Sequence, residues 1–177
     1  MSREYPTEIA GPYEAPPRSV IDKEGRDVEV RRYEETFEEL VEMYRDFDPA
    51  DRAQGIPPTD EAAVREWLES LLETDCINVL ARHDGRAVGH AVLVPDRHEE
   101  YELAIFVLRE YQEAGIGTAL VETLLGAVRR EGVEHIWLTV ERWNGPAVAL
   151  YRKVGFEASG PGGFELEMAA TLSDPDG

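Results

Sequence analysis

Between Tyr101 and Val140 the chain runs strand, glycine-bearing turn, long helix, strand, and no other stretch of its 177 residues restricts the fold so tightly. Tyr101 to Leu108 and His135 to Val140 are short apolar runs of strand length. Between them, from Ala114 to Arg130, Ile116, Leu120, Val121, Leu124, Leu125 and Val128 recur at helical spacing, and Gly132 suits the C-cap. A strand–helix–strand unit makes its two strands parallel, with a right-handed crossover. The residues before it impose the opposite relation. Cys76 to Arg82 and Ala87 to Val94 flank Asp84-Gly85, a hairpin signal, so these strands are antiparallel.

The remaining segments fill in a single domain, which the length suits. Asp27 to Arg32 alternates polar and apolar residues, as a first strand does. Thr36 and Glu39 have capping-box spacing ahead of a helix marked by Phe37, Leu40, Val41 and Tyr44. Gly55-Ile56-Pro57-Pro58 breaks the chain before a second helix carrying Val64, Trp67, Leu68, Leu71 and Leu72. Pro146 to Lys153 reads as a short helix. A strand from Phe156, a turn at 159–163 and a strand from Phe164 to Ala170 follow. The expected order is β-α-α-β-β-β-α-β-α-β-β. The class is α/β, with a central mixed, mostly antiparallel sheet and helices on both faces. Residues 1–25 hold Pro6, Pro12, Pro16 and Pro17 and little periodicity, so they are expected to form a mobile or surface-draped arm. The domain spans 26–172, and 173–177 is a tail.

Charge narrows the partners. The net charge is −19, and only Lys23 and Lys153 among 18 basic residues are lysine. The acids are spread along the chain, which argues against nucleic acid and against anionic membranes, since both need basic surface. No apolar run approaches the roughly 20 residues of a membrane-spanning helix. Met1 to Val20 has no secretory apolar core, so a cytoplasmic protein is expected. A surface of one sign repels itself and salt screens that repulsion, so the composition points to the cytoplasm of an extreme halophile. Cys76 alone makes neither an internal disulfide nor a zinc motif, and its apolar neighbours suggest a small buried hydrophobe. His83, His90, His98 and His135 match no metal spacing, and His90 reads as a core residue.

The turn Gln112-Glu113-Ala114-Gly115-Ile116-Gly117-Thr118 joins a strand to a helix. Its glycines let the backbone turn tightly, and the helix start offers unsatisfied N–H donors and a positive dipole end. That makes a diphosphate cradle. A Rossmann turn needs a third glycine where Leu120 stands, and the P-loop lysine is missing. Gln112-x-x-Gly115-x-Gly117 instead resembles the acetyl-CoA motif of the GNAT acetyltransferases. Downstream, Asn144-x-x-Ala147-x-x-x-Tyr151-x-Lys153-x-Gly155-Phe156 resembles their second signature. The resemblance covers about residues 27 to 171.

The resemblance implies a fold in which strands 101–108 and 135–140 splay at their carboxyl ends, with the pantetheine arm of acetyl-CoA in the gap. Gln112 through Thr118 would hold the diphosphate. Backbone groups near Phe106 and Val107 and the Asn144 side chain would hold the arm. The Val107 N–H would polarise the acetyl carbonyl. Tyr151 occupies the general-acid position, and Lys153 or Arg152 would meet the 3′-phosphate. For the base, Thr139 stands where some relatives carry glutamate and cannot serve. Glu102, opening Glu102-Leu103-Ala104-Ile105-Phe106-Val107, resembles the proposed base of Pat-like protein-lysine acetyltransferases, with Glu141 or a relayed water as alternatives. Glu113 departs from the family, which places arginine, lysine or glycine beside the phosphates. The expected reaction is acetyl transfer to a primary amine, of a protein or of a small molecule. A catalytically silent acyl-CoA-binding module is the reading from another class. A homodimer would be ordinary for the family, and Trp143 is expected to pack near the coenzyme or the helix below it.

Overall fold

The structure, a computed structural model, describes residues 3–52, 56–73, 75–129, 131–159 and 163–172. Gly55 of the chain break, Arg130 of the long helix, the middle of the 159–163 turn and the tail at 173–177 lie outside the described residues. The helices are α1 (Phe37–Arg45), α2 (Glu61–Leu71), α3 (Ile116–Val128) and α4 (Gly145–Val154). The strands are β1 (Ile9–Ala10), β2 (Arg18–Ile21), β3 (Asp27–Arg32), β4 (Ile77–His83), β5 (Arg86–Pro95), β6 (Tyr101–Val107), β7 (His135–Glu141), β8 (Glu157–Ala158) and β9 (Glu165–Leu172). They form one sheet in the order β1-β9-β7-β6-β5-β4-β3-β2, with β8 paired on β9.

The expected parallel pair is β6 with β7. A second parallel pair arises because β1 joins β9. Both β1 and β2 come from the first 25 residues, which therefore extend the sheet at its two ends. Two-residue and four-residue strands among prolines are too short to show a period in the sequence.

Adjacent residues of β5 show how the layers are arranged. A Cβ on Gly89 would sit 2.8 Å from Leu120 of α3. The next residue, His90, turns to the other face and meets the Tyr44 hydroxyl of α1 at 2.7 Å. Helices α1 and α3 thus cover opposite faces. The apolar stripe of α3 read from the sequence is buried, with Ile116, Leu120, Val121, Leu124 and Val128 at 0% exposure.

One polar chain crosses this core. Asn78 donates through Nδ2 to the Leu71 carbonyl at 2.8 Å, so its Oδ1 is left to accept from His90 Nε2 at 2.7 Å. His90 Nδ1 is then the acceptor for Tyr44. Burial pushes the imidazole down to about 3, and the ring stays neutral. The chain ties α1, α2, β4 and β5 together.

The capping box is not formed. Thr36 precedes α1 without a side-chain cap, and its hydroxyl is buried with no partner among the described residues. Glu39 is drawn to Arg82 of β4, at 2.7 Å. A charge-assisted pair to the sheet outcompetes the local reciprocal bond. Cys76 precedes β4, is only partly buried, and burial together with Asp75 and Glu73 pushes its thiol up to about 11. It is a poor nucleophile. Among the described residues no helix is long and apolar enough to cross a membrane.

Candidate active site

Strands β6 and β7 pair only at Tyr101–Ile136 and Glu102–Trp137, and then part. The backbone of β6 beyond Glu102 has β5 on one side and the gap on the other. Leu108 donates its amide to the Val88 carbonyl at 3.0 Å. In an antiparallel ladder the hydrogen-bonding direction alternates, so the even-numbered residues of β6 turn to β5 and the odd-numbered ones away. Phe106 therefore spends its backbone on β5. Val107 turns its N–H and C=O into the gap. Its carbonyl accepts from Gln112 Nε2 at 3.0 Å, which leaves the N–H as the donor facing outward.

The glycine turn follows directly. Glu113 (φ 57) and Gly115 (φ 95) both take left-handed conformations, and Gly115 is the N-cap of α3. Among the described residues, no protein acceptor takes the amides of Glu113, Ala114, Gly115, Ile116, Gly117 or Thr118, whereas Ala119 already donates to the Gly115 carbonyl at 3.1 Å. Six amides at a helix start, bent by left-handed residues, are an arrangement that suits an anion. A Cβ on Gly115 would meet nothing within 4 Å. Gly117 has a different reason: a Cβ there would lie 2.8 Å from the end of Leu150, so its small size lets α3 and α4 close together.

Tyr151 lies in α4, on the α3 side of the sheet. Its ring packs edge-on against Phe156, centroids 5.9 Å apart. It is 7% exposed, and burial pushes the phenol well above its ordinary value. No described protein group hydrogen-bonds its hydroxyl, yet that oxygen is not among the sealed unpartnered atoms. The hydroxyl is a protonated donor at the edge of the core. Asn144 caps α4, its Oδ1 accepting from Ala147 at 3.3 Å, so the amide donors of the same side chain are what it has to offer a ligand. Lys153 and Arg152 are exposed in the last turn of α4. Trp143 is 78% exposed and stands outside the core.

Glu102 shares a sheet face with Phe106, the α1–α2 face. There Phe106 sits in an aromatic cluster, its centroid 5.7 Å from Tyr44, 6.2 Å from Phe47 and 5.3 Å from Trp67. Burial holds the Glu102 carboxyl above the ordinary range; Arg3 opposes this, and Asp96 and Glu167 add to it. No sequence pattern pointed to Arg3. Its guanidinium lies 3.8 Å over the Trp137 ring, bonds Glu167, and approaches Glu100 at 3.6 Å. Contacts between residues 3 and 167 have no local signature. Thr139 is exposed on β7 opposite Glu167, and Glu141 lies opposite Glu165. Between α1 and α2 a cavity of about 260 Å³ is lined by Tyr44, Phe47, Pro49, Pro57, Thr59 and Val64 among others. Tyr151 thus lies on the α3 side of the sheet and Glu102 on the α1–α2 side.

The model of the acetyltransferase (GNAT) family matches residues 37–156. An uncharacterised N-acetyltransferase of Mycobacterium tuberculosis is 36% identical over 101 residues, covering 56% of this chain and 65% of that protein. The ribosomal protein bS18-alanine N-acetyltransferase of Escherichia coli is 32% identical over 80 residues, covering 45% of this chain and 54% of that one. The chain thus spans less than two thirds of the length of these relatives. Among solved structures, the GNAT domain of S. lividans PAT aligns with a TM-score of 0.76 at 15% identity, over 88% of this chain and 97% of that one.

Proposed function

The chain belongs to the acetyltransferase (GNAT) family, and from that premise we propose that it transfers an acetyl group from acetyl-CoA to a primary amine, with a protein or peptide as acceptor. The reading is carried by one observation: β6 and β7 part after Glu102, so that the Val107 N–H opens into the gap just ahead of the Gln112–Thr118 turn.

The amides of Glu113 to Thr118 hold the diphosphate of acetyl-CoA. The coenzyme supplies the activated acetyl group as a thioester. The pantetheine arm runs into the gap, past the amide donors of Asn144, and Lys153 serves the 3′-phosphate. Val107 N–H stabilises the charge that grows on the acetyl oxygen. Glu102 takes one proton from the incoming ammonium, which as a lysine side chain titrates near about 10.4 and is otherwise charged at neutral pH, so that the neutral amine attacks. The second proton, lost from the same nitrogen as the amide forms, replaces the one Tyr151 gives up. Tyr151 gives a proton to the departing thiolate; burial keeps it protonated throughout the neutral range.

The acceptor reading rests on charge and on likeness. Asp96, Glu100, Glu102 and Glu167 gather on the face where the amine enters, which suits a cationic acceptor. The E. coli relative acts on the alanine of a ribosomal protein, and the fold aligns with the GNAT domain of PAT. A charge of −19 with two lysines supports a protein adapted to concentrated salt in a cytoplasm. Thiol release from acetyl-CoA with peptide, polyamine and amino-sugar acceptors at high KCl tests the proposal. Release with peptides bearing a free amine is expected. Release only with small amines would transfer the activity to that class, and none with any acceptor would leave a coenzyme-binding module.

A further inference from the structure

The loop between β2 and β3 lies against the back of the glycine turn. The Lys23 N–H donates to the Ala114 carbonyl at 2.9 Å. Arg26 donates through Nη1 to the Glu110 carbonyl at 3.1 Å, and its guanidinium lies 4.1 Å over the Tyr111 ring. These contacts bridge more than eighty residues of sequence; the first reaches the segment that presents the anion-binding amides, and the second the turn just before it.

The loop is itself rigidly built. The Asp22 carboxylate is fully buried beside Arg26. It accepts from the amides of Glu24 at 3.0 Å and Arg26 at 2.9 Å, and from Arg26 Nε at 2.7 Å. Asp22 N–H bonds the Arg26 carbonyl and Gly25 N–H bonds the Asp22 carbonyl, both at 3.0 Å. Gly25 closes the turn at φ 80, a conformation glycine takes freely. A loop with this many internal bonds offers the Lys23 N–H in one direction.

That direction matters because the peptide bond is planar and trans: the carbonyl of Ala114 and the amide of Gly115 point opposite ways. Anchoring the carbonyl to Lys23 aims the Gly115 N–H away from the hairpin, to the side where Gly115 is open. We propose that the Asp22–Arg26 loop is a latch that fixes the Ala114–Gly115 peptide and so sets the affinity for the coenzyme's diphosphate. Lys23, through its backbone, with Asp22 and Arg26, are positioning residues. All three precede residue 37, where the family match begins, so the latch belongs to this chain's own N-terminal segment. The inference rests on the diphosphate reading of the turn.

Calorimetry of the full chain with CoA at fixed KCl tests it, using Lys23→Ala, Lys23→Pro and Arg26→Gln. Lys23→Ala measures the side chain's share and keeps the amide, whereas Lys23→Pro removes the N–H. The latch predicts that Lys23→Pro weakens binding roughly three- to tenfold beyond Lys23→Ala, the range one neutral hydrogen bond is worth. Arg26→Gln should also weaken it. In both, KM for acetyl-CoA rises while kcat and KM for the amine hold, a split that general loosening would not produce. Equal affinities for Lys23→Ala and Lys23→Pro overturn the latch while the diphosphate reading stands. Should Lys23→Pro not fold, Arg26→Gln decides, and an unchanged Kd there overturns it. Wild-type protein that binds no CoA overturns the reading and the latch together.

Discussion

Burial pushes both the Tyr151 phenol and the Glu102 carboxyl upward, the direction that suits each proposed role. The Tyr151 phenol is pushed up and remains a donor. Tyr151→Phe is expected to lower kcat roughly 100-fold or more, as loss of a general acid does, with the Kd for CoA unchanged; single-turnover assays would read both. The Glu102 carboxyl is raised as well, chiefly by burial, so the acid limb of kcat/KM should fall above the ordinary carboxylate range. Glu102→Gln should erase that limb and lower kcat most at neutral pH, where the carboxylate is charged and the amine is still protonated, with the loss shrinking as pH rises toward the amine's own titration near about 10.4. Stability should move the other way. A raised folded pKa gives stability that is present below the unfolded value and lost as pH rises through the folded one, so Glu102 burdens the fold near neutrality and Glu102→Gln should not lower the urea midpoint there. Glu113 combines a left-handed backbone with a negative charge beside the proposed diphosphate. Glu113→Gly removes the charge and the cost of that backbone while keeping the turn, and tighter CoA binding in dilute buffer is expected by titration; weaker binding would show that the carboxylate assists. Glu102, Gly115, Asn144 and Tyr151 could be nominated from the sequence because each sits in a short motif. Arg3, Lys23 and Arg26 could not, because each meets the site region across 70 residues or more.

The same contrast holds among elements. The parallel pair, the Asp84-Gly85 hairpin and the buried stripe of α3 follow from periods and turn chemistry that a window of ten to twenty residues displays. β1 and β2 leave no such trace, and the capping spacing at Thr36 failed because Glu39 had a stronger distant partner in Arg82. The first segment is nonetheless packed tightly onto the domain. A Cβ on Gly126 of α3 would lie 2.1 Å from the Glu14 carbonyl. Gly126→Ala should therefore displace residues 14 and 15 and lower stability by about 1–3 kcal/mol, the usual cost of overpacking, in a urea melt. A helix gains from alanine where nothing obstructs it, so an increase would mean that the segment yields freely.

For the whole molecule, 37 acids against 18 bases make long-range repulsion a term that salt controls. At 1 M salt the Debye length is about 3 Å, shorter than most distances between surface charges. The thermal midpoint is expected to rise from dilute buffer to multimolar KCl, and a midpoint that falls would remove the argument for salt adaptation. Salt should also relieve the repulsion between the acidic surface and a polyanionic coenzyme. The central claim, that the glycine turn holds the diphosphate while the thioester reaches between β6 and β7, is tested most directly by backbone amide NMR during a CoA titration at high KCl. The account predicts the largest shifts at Gly115, Ile116, Gly117, Thr118 and Val107. Shifts that spare these amides and gather on another part of the sheet would contradict it.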